Sequence, residues 1–300
     1  MLYPATMRAA ASIGVVALCV AVLPAAGQAP TTPPSQASPR AQWPPYTPQR
    51  TADGHPDLNG IWQSLVTANW DIQAHGAQPG PHPQIMGAWG ALPGGQGIVE
   101  GHELPYQPWA LEKRKQNLAN RMVVKPTNDP HRFDTGEPEL QCYRPGVPRA
   151  NYMPFPFQIF QTREEMLFVY EYKGVTRAIY MDPHREPATE SWMGWSNGKW
   201  EGDTLVVDVT GFNGNTWFDR AGNFHSEALH VVERYTPVSP YHLWYEATIE
   251  DPKVFTRPWK VSFPLYRRME PNIQLVEFNC VPFVEEMMYG PLGLYRLPSR

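Results

Sequence analysis

Between His225 and Glu277 the chain concentrates side chains that can hold or move a proton. His225, Glu227, His230 and Glu233 come close together, and Glu246, Asp251, Arg257 and Glu277 follow on later strands or at their ends. A histidine and a carboxylate in a partly dry cavity can pass a proton to and from a substrate, while an arginine steadies developing negative charge. That is the chemistry of elimination, isomerisation or hydration of a small hydroxylated or cyclic molecule such as a sugar derivative. In this reading His230 is the acid or base, Glu246 or Glu233 its partner, and Arg257 the oxyanion stabiliser. His225, Glu227, Asp251 and Glu277 line the same cavity, and Trp217, Trp244 and Trp259 supply stacking walls.

Other readings fit the same residues. In the second, the cavity only binds its small-molecule ligand, and its charged groups pair with one another. In the third, His225-x-Glu227-x-x-His230 offers nitrogen and oxygen ligands to a metal, but a divalent ion needs three or four with outer support, and no helix is predicted there. In the plainest, these groups are rim salt bridges and strand-end caps. The chain has no Gly-rich phosphate loop, no Gly-x-Ser-x-Gly elbow and no dinucleotide fingerprint, which argues against nucleophilic serine or cysteine chemistry and against a nicotinamide-dependent reaction. The expected chemistry uses no cofactor and no metal.

The elements that must position these side chains are strands. Thr204–Val209, Leu229–Tyr235, His242–Ile249 and Trp259–Arg267 alternate or run apolar in the strand manner, as do Phe157–Thr162, Met166–Tyr172, Thr176–Met181, Ser196–Trp200 and Gln274–Cys280. Successive strand residues point to opposite faces. Leu229, Val231, Glu233 and Tyr235 therefore share one face and His230, Val232 and Arg234 the other, while His242, Trp244, Glu246 and Thr248 oppose Leu243, Tyr245, Ala247 and Ile249. If the mixed face is inward, His230 and Glu246 share a cavity; alternation alone does not choose the face. No helical period interrupts these strands, which excludes a parallel α/β plan. The fold expected is an all-β antiparallel meander closing into a barrel, with a two-sheet sandwich as the alternative.

Upstream, a first strand begins at Gly60-Ile61-Trp62. Residues 71–140 form a long irregular excursion, rich in Gly, Pro and His up to residue 107, and loops of that length are commonly lids or binding loops. It holds one short helix, Pro108–Asn120, with proline in its first turn. Residues 51–300 are thus expected to make one domain. Residues 28–50 read as a Pro-rich tether, and 1–27 as a secretory signal peptide: Arg8, an apolar run from Ala9 to Pro24, then Ala25-Ala26-Gly27. That run, about 15 residues, is short for a bilayer span of about 20. The expected location is periplasmic or secreted, with no membrane attachment after cleavage.

Removal of that segment leaves Cys142 and Cys280, which in an oxidising compartment most simply form one disulfide. Closing a loop of more than a hundred residues stabilises by about 4–5 kcal/mol in the chain-entropy picture. The alternative is two buried free thiols. A formal net charge of −4 gives no reason to expect nucleic acid or an anionic membrane as partner. The 34 prolines argue against a helical protein, and the 37 aromatic residues provide ample material for a core or a stacking wall.

Gly60-Ile61-Trp62 before an antiparallel meander resembles the Gly-x-Trp opening of lipocalin-like (calycin) barrels. A larger part of the chain, roughly residues 50–280, resembles a group of secreted bacterial proteins without assigned function. The phrases that carry this are Pro56-Asp-Leu-Asn-Gly-Ile-Trp62, Cys142-Tyr-Arg-Pro-Gly-Val-Pro-Arg149, Lys199-Trp-Glu-Gly-Asp-Thr-Leu-Val-Val207, His225-Ser-Glu-Ala-Leu-His230 and Asp251-Pro-Lys-Val-Phe-Thr-Arg-Pro-Trp259. The resemblance implies one secreted β domain and no particular reaction.

Overall fold

A computed structural model describes residues 43–80, 91–123, 136–181 and 183–282, with Val284. The stretch read as a signal peptide, and most of the tether, lie outside the described residues. The strands are β1 (Gly60–Ser64), β2 (Gln78–Pro79), β3 (Ala91–Leu92), β4 (Phe157–Gln161), β5 (Glu165–Tyr170), β6 (Thr176–Met181), β7 (Trp195–Glu201), β8 (Thr204–Thr210), β9 (His230–Ser239), β10 (His242–Glu250) and β11 (Trp259–Arg267). The helix α1 spans Pro108–Ala119.

Nine of these strands close into a barrel in the order β1-β11-β10-β9-β8-β7-β6-β5-β4, with β1 antiparallel to both β11 and β4. Closure removes the sheet edges and excludes the sandwich. One step departs from a plain meander: β6 and β7 run parallel, because the chain crosses over between Met181 and Trp195 before pairing again. The predicted strand at Gln274–Cys280 does not form. With β1 filling the gap between β11 and β4, no barrel edge is left to receive it, and the segment makes only an isolated bridge from Phe278 to Tyr172. Cys280 is instead fixed by its disulfide to Cys142, with 5.7 Å between Cα atoms and a sequence separation of 138.

Burial shows which face is inward. Val231, Glu233 and Tyr235 of β9, Tyr245, Ala247 and Ile249 of β10, and Leu205, Val207 and Val209 of β8 are all buried and point into the barrel. Each large apolar side chain buried this way contributes about 1.5–3 kcal/mol. The more polar faces, with His230 and Arg234 on β9 and His242, Glu246 and Thr248 on β10, are outside. The inner surface is therefore the apolar one, and Glu233 is a charged exception within it.

The excursion packs against the barrel through Ile72, Ile98, Val99 and Leu104, which join the main core. Val99 bridges Val261 of β11, and Tyr106 bridges Phe255 in the β10–β11 loop. Two glycines permit this docking. A Cβ on Gly97 (φ +75°) would lie 2.5 Å from the backbone of Gln73 and Ala74, and one on Gly222 (φ +87°) 2.7 Å from Leu118 N. Any other residue at these points would push the excursion or α1 off its seat. No helix among the described residues is long and apolar enough to cross a membrane.

Candidate functional site

Inside the barrel, Glu233 has no exposed surface and is held by four donors. Arg177 Nη2 forms a very short ion pair with Oε2. Asn151 Nδ2 (2.9 Å), the Tyr235 hydroxyl (2.9 Å) and the Tyr245 hydroxyl (2.8 Å) all donate to Oε1. Tyr170 donates to Asn151 Oδ1 at 3.0 Å, and Arg177 Nε to Ser196 Oγ at 2.8 Å. Burial, followed by the charge of Glu233, drives the Tyr235 and Tyr245 hydroxyls well above their ordinary range, so both stay neutral donors. The carboxylate's acceptor positions are thus heavily used. The arrangement locks strands β5, β6, β9 and β10 to the turn at Asn151.

A second buried cluster lies where the β8–β9 loop meets the segment after α1. Arg149, 1% exposed, pairs with Glu137 at 2.5 Å and Glu139 at 2.6 Å, and its Nε donates to Asn69 Oδ1 at 2.8 Å. Arg220 grips both oxygens of Glu139 at 2.7 and 2.8 Å and lays its guanidinium 4.2 Å from the centre of the Trp70 ring. Burial opposes ionisation of Glu139, but Arg220 and Arg149 outweigh it and hold the carboxyl at about 2.

Beside this cluster opens a pocket of about 190 Å³. Its walls include Trp70, Asp71 and His75 from the excursion, Leu118 and Met122 from α1 and beyond, and Glu137, Leu140 and Arg220. Burial raises the Asp71 carboxyl, offset in part by the Gln73 N–H and Arg114. Asp219 lies directly behind. Its burial, followed by repulsion from Asp71, pushes it up to about 7, even though Ile72 N, Ala221 N, Asn223 N and Asn223 Nδ2 all donate to it. Two carboxyl groups that repel each other in a dry site are a means of keeping one protonated near neutral pH. His75 is less available: Nδ1 lies 2.7 Å from Gln73 O and Nε2 3.0 Å from Pro93 O, so both ring nitrogens face backbone carbonyls.

The predicted site residues are not gathered. His230 is on the outer face, with Nε2 3.0 Å from Asp208 and Nδ1 3.7 Å from Glu250. Glu246 is outside as well, opposite Arg234 in the register. Arg257 is exposed in the β10–β11 loop. Of the four catalytic candidates, only Glu233 faces in. The proposed cavity of His230, Glu246, Glu233 and Arg257 is therefore not assembled, because one residue of register separates the two faces.

His225 is buried between Phe212 and Phe218, with Nε2 2.6 Å from Thr216 Oγ1 and Nδ1 2.8 Å from Ser226 O, and burial lowers its pKa so that it stays neutral. Glu227 is exposed and paired with Lys253. Asp251 is buried as a turn anchor, accepting from Ser226 N, Ser226 Oγ and Lys253 N. Trp259 packs edge-on to Phe218 and Phe255 in the core, Trp244 is covered on the outer side of β10, and Trp217 is half-buried against the core. Glu277 is exposed. Among the described residues no three His, Cys, Asp or Glu side chains come together as a metal site, and the His225-x-Glu227-x-x-His230 set is split between core, solvent and outer wall.

Fold and pocket together define a closed β-barrel whose interior is filled by side chains, with a pocket of mixed apolar and polar lining between its excursion and the β8–β9 loop. Comparison with protein-family models, curated proteins and solved structures finds no match for this chain.

Proposed function

We propose that this protein binds a small organic molecule in the pocket walled by Trp70, Asp71 and Arg220, rather than inside the barrel. The observation that carries the reading is Trp70 itself. Its ring, stiffened by Arg220, borders a pocket that also offers a carboxyl group of raised pKa and apolar surface from Leu118 and Leu140. A flat apolar wall with a few convergent polar groups suits a small hydroxylated or cyclic ligand. The apolar N-terminal run and the Cys142–Cys280 pair support a secreted or periplasmic location, and the closed barrel with Gly60-Ile61-Trp62 in β1 supports kinship with lipocalin-like proteins.

A second reading, acid–base catalysis of the lyase, isomerase or hydratase type on that ligand, is favoured by Asp71. Burial raises the Asp71 carboxyl above its ordinary value, and a partly buried pocket carboxyl is the kind of group that serves as a general acid or base. The test is titration of the purified chain with a panel of sugars, sugar acids and cyclic alcohols, followed by tryptophan fluorescence and by product analysis. Trp70→Ala is expected to weaken binding by tenfold or more. Asp71→Asn is expected to preserve most affinity and to remove any turnover. A ligand bound equally well by wild type and Trp70→Ala would overturn the site; product formation unaffected by Asp71→Asn would overturn the catalytic reading alone.

A further inference from the structure

The end of the Pro-rich stretch packs against the barrel. The Trp43 ring lies 4.8 Å from that of His242, Pro48 is buried, and Gln49 O accepts from Asp57 N at 2.8 Å. Between this stretch, the β9–β10 turn and the end of β11 lies a pocket of about 240 Å³. Its walls include Tyr46, Asp57, Tyr241, Leu243, Arg267 and Met269. Tyr241 and Met269 are large apolar side chains left 51% and 60% exposed.

The fold uses only part of Arg267 and Asp57. The Arg267 guanidinium lies 4.3 Å from the centre of the Trp62 ring, with Nε donating to Pro240 O at 3.1 Å and Nη1 to Asn59 O at 2.5 Å. Asp57 Oδ1 accepts from Asn59 N at 2.9 Å and Asn59 Nδ2 at 2.7 Å. The remaining atoms, Arg267 Nη2 and Asp57 Oδ2, have no hydrogen bond among the described residues, and neither is sealed from solvent. Burial lowers the Arg267 pKa and the Asp57 charge opposes that, yet the two form no ion pair. Opposite charges held apart on one pocket keep a donor and an acceptor available to a third group.

We infer that this pocket is a second binding site, for a neutral saccharide, with Arg267 donating to its hydroxyl oxygens, Asp57 accepting from its hydroxyls and Tyr241 stacking on its C–H face. A hydroxyl both donates and accepts, so adjacent hydroxyls bridge the two charges. Charge selects a neutral ligand, because a carboxylate would meet Asp57 and an ammonium would meet Arg267. A wholly apolar ligand would take both charged groups out of water with nothing in return. The half-exposed Tyr241 ring offers the flat apolar surface that a sugar ring covers. The site shares no lining residue with the Trp70 pocket and does not depend on the function proposed there.

The test uses the full chain with ¹³C-labelled methionine methyl groups. The probes are the methyl glycosides of glucose, galactose and mannose, with glucuronate and glucosamine as charged comparators at equal ionic strength. The Met269 signal is assigned as the one missing from Met269→Leu. At least one neutral glycoside is expected to move it saturably, with affinity in roughly the millimolar range, and to bind more tightly than either charged sugar. Tyr241→Ala is expected to weaken that binding about tenfold. Asp57→Asn keeps an oxygen for Asn59 but replaces the open acceptor by a donor, so it is expected to weaken the glycoside and make glucuronate the tighter ligand. A Met269 signal unmoved by all three glycosides overturns the proposal. So does an equal response to a charged sugar, or unchanged affinity in Tyr241→Ala. Loss of the response in Trp70→Ala would assign it to the other pocket and overturn the proposal as well. If Asp57→Asn does not fold, Tyr241→Ala and the wild-type comparison of neutral with charged sugars decide the matter.

Discussion

Replacing Glu233 by Gln tests the buried network with the fewest side effects, because size and shape are kept. The wild-type carboxylate takes three donors on Oε1 and Arg177 on Oε2. An amide has one accepting oxygen, so its NH₂ must face either the guanidinium or the Asn151–tyrosine group, donor against donor. Arg177 also keeps its charge inside the barrel with no counter-charge. Breaking one side of a buried pair costs about 3–5 kcal/mol, a large share of a typical total stability of about 5–15 kcal/mol. Urea unfolding at neutral pH, followed by tryptophan fluorescence, should show a lower midpoint with an unchanged slope. The double variant Arg177→Met/Glu233→Leu removes both charges but leaves the Tyr235 and Tyr245 hydroxyls without their acceptor, at about 1–3 kcal/mol for each unmet group, while Asn151 Nδ2 keeps the Tyr235 oxygen at 2.9 Å. It should therefore also fall below wild type, unlike simple ion pairs that hydrophobic residues replace at no loss. Glu233→Gln within about 1 kcal/mol of wild type, or a double variant more stable than wild type, would refute this account of the core.

His230→Ala and Glu246→Ala should each change stability by no more than about 0.5 kcal/mol and leave ligand affinity untouched, since both are on the outer wall; thermal denaturation and titration check this. Glu139, held at about 2 against an ordinary 4.5, contributes stability that is present above the ordinary value and lost as pH falls through about 2. The contribution is about 3 kcal/mol, so Glu139→Gln should weaken acid dependence in denaturant titrations run from pH 5 to 2. Asp219 has the opposite sign: its carboxyl, raised from 3.8 to about 7, makes stability fall as pH rises between those values, and Asp219→Asn should flatten that slope in melting curves. Reduction of Cys142–Cys280, which spans 138 residues, should cost about 5 kcal/mol in the chain-entropy picture, measured by urea unfolding with and without reductant.

The strands were largely legible because alternation at β8–β11 is a local property. Trp259–Arg267 and Thr176–Met181 have the predicted bounds. Closure was legible too, from many short strands joined in sequence. The inward face was not, because choosing between Glu233 and His230 requires knowing what each strand packs against, and a single strand contains no such record. Glu233 is paid for by Arg177, 56 residues upstream. Asp71, Trp70 and Arg220 escaped the sequence reading for a related reason. They sit in aperiodic segments, and nothing local announces that Asp219 will be buried behind Asp71.

The most direct test of the central claim is crystallographic fragment soaking with small hydroxylated and aromatic molecules. The account predicts ordered density against Trp70 within reach of Asp71 and Arg220. Fragments that collect instead on the His230–Glu246 wall, or inside the barrel around Glu233, would contradict it.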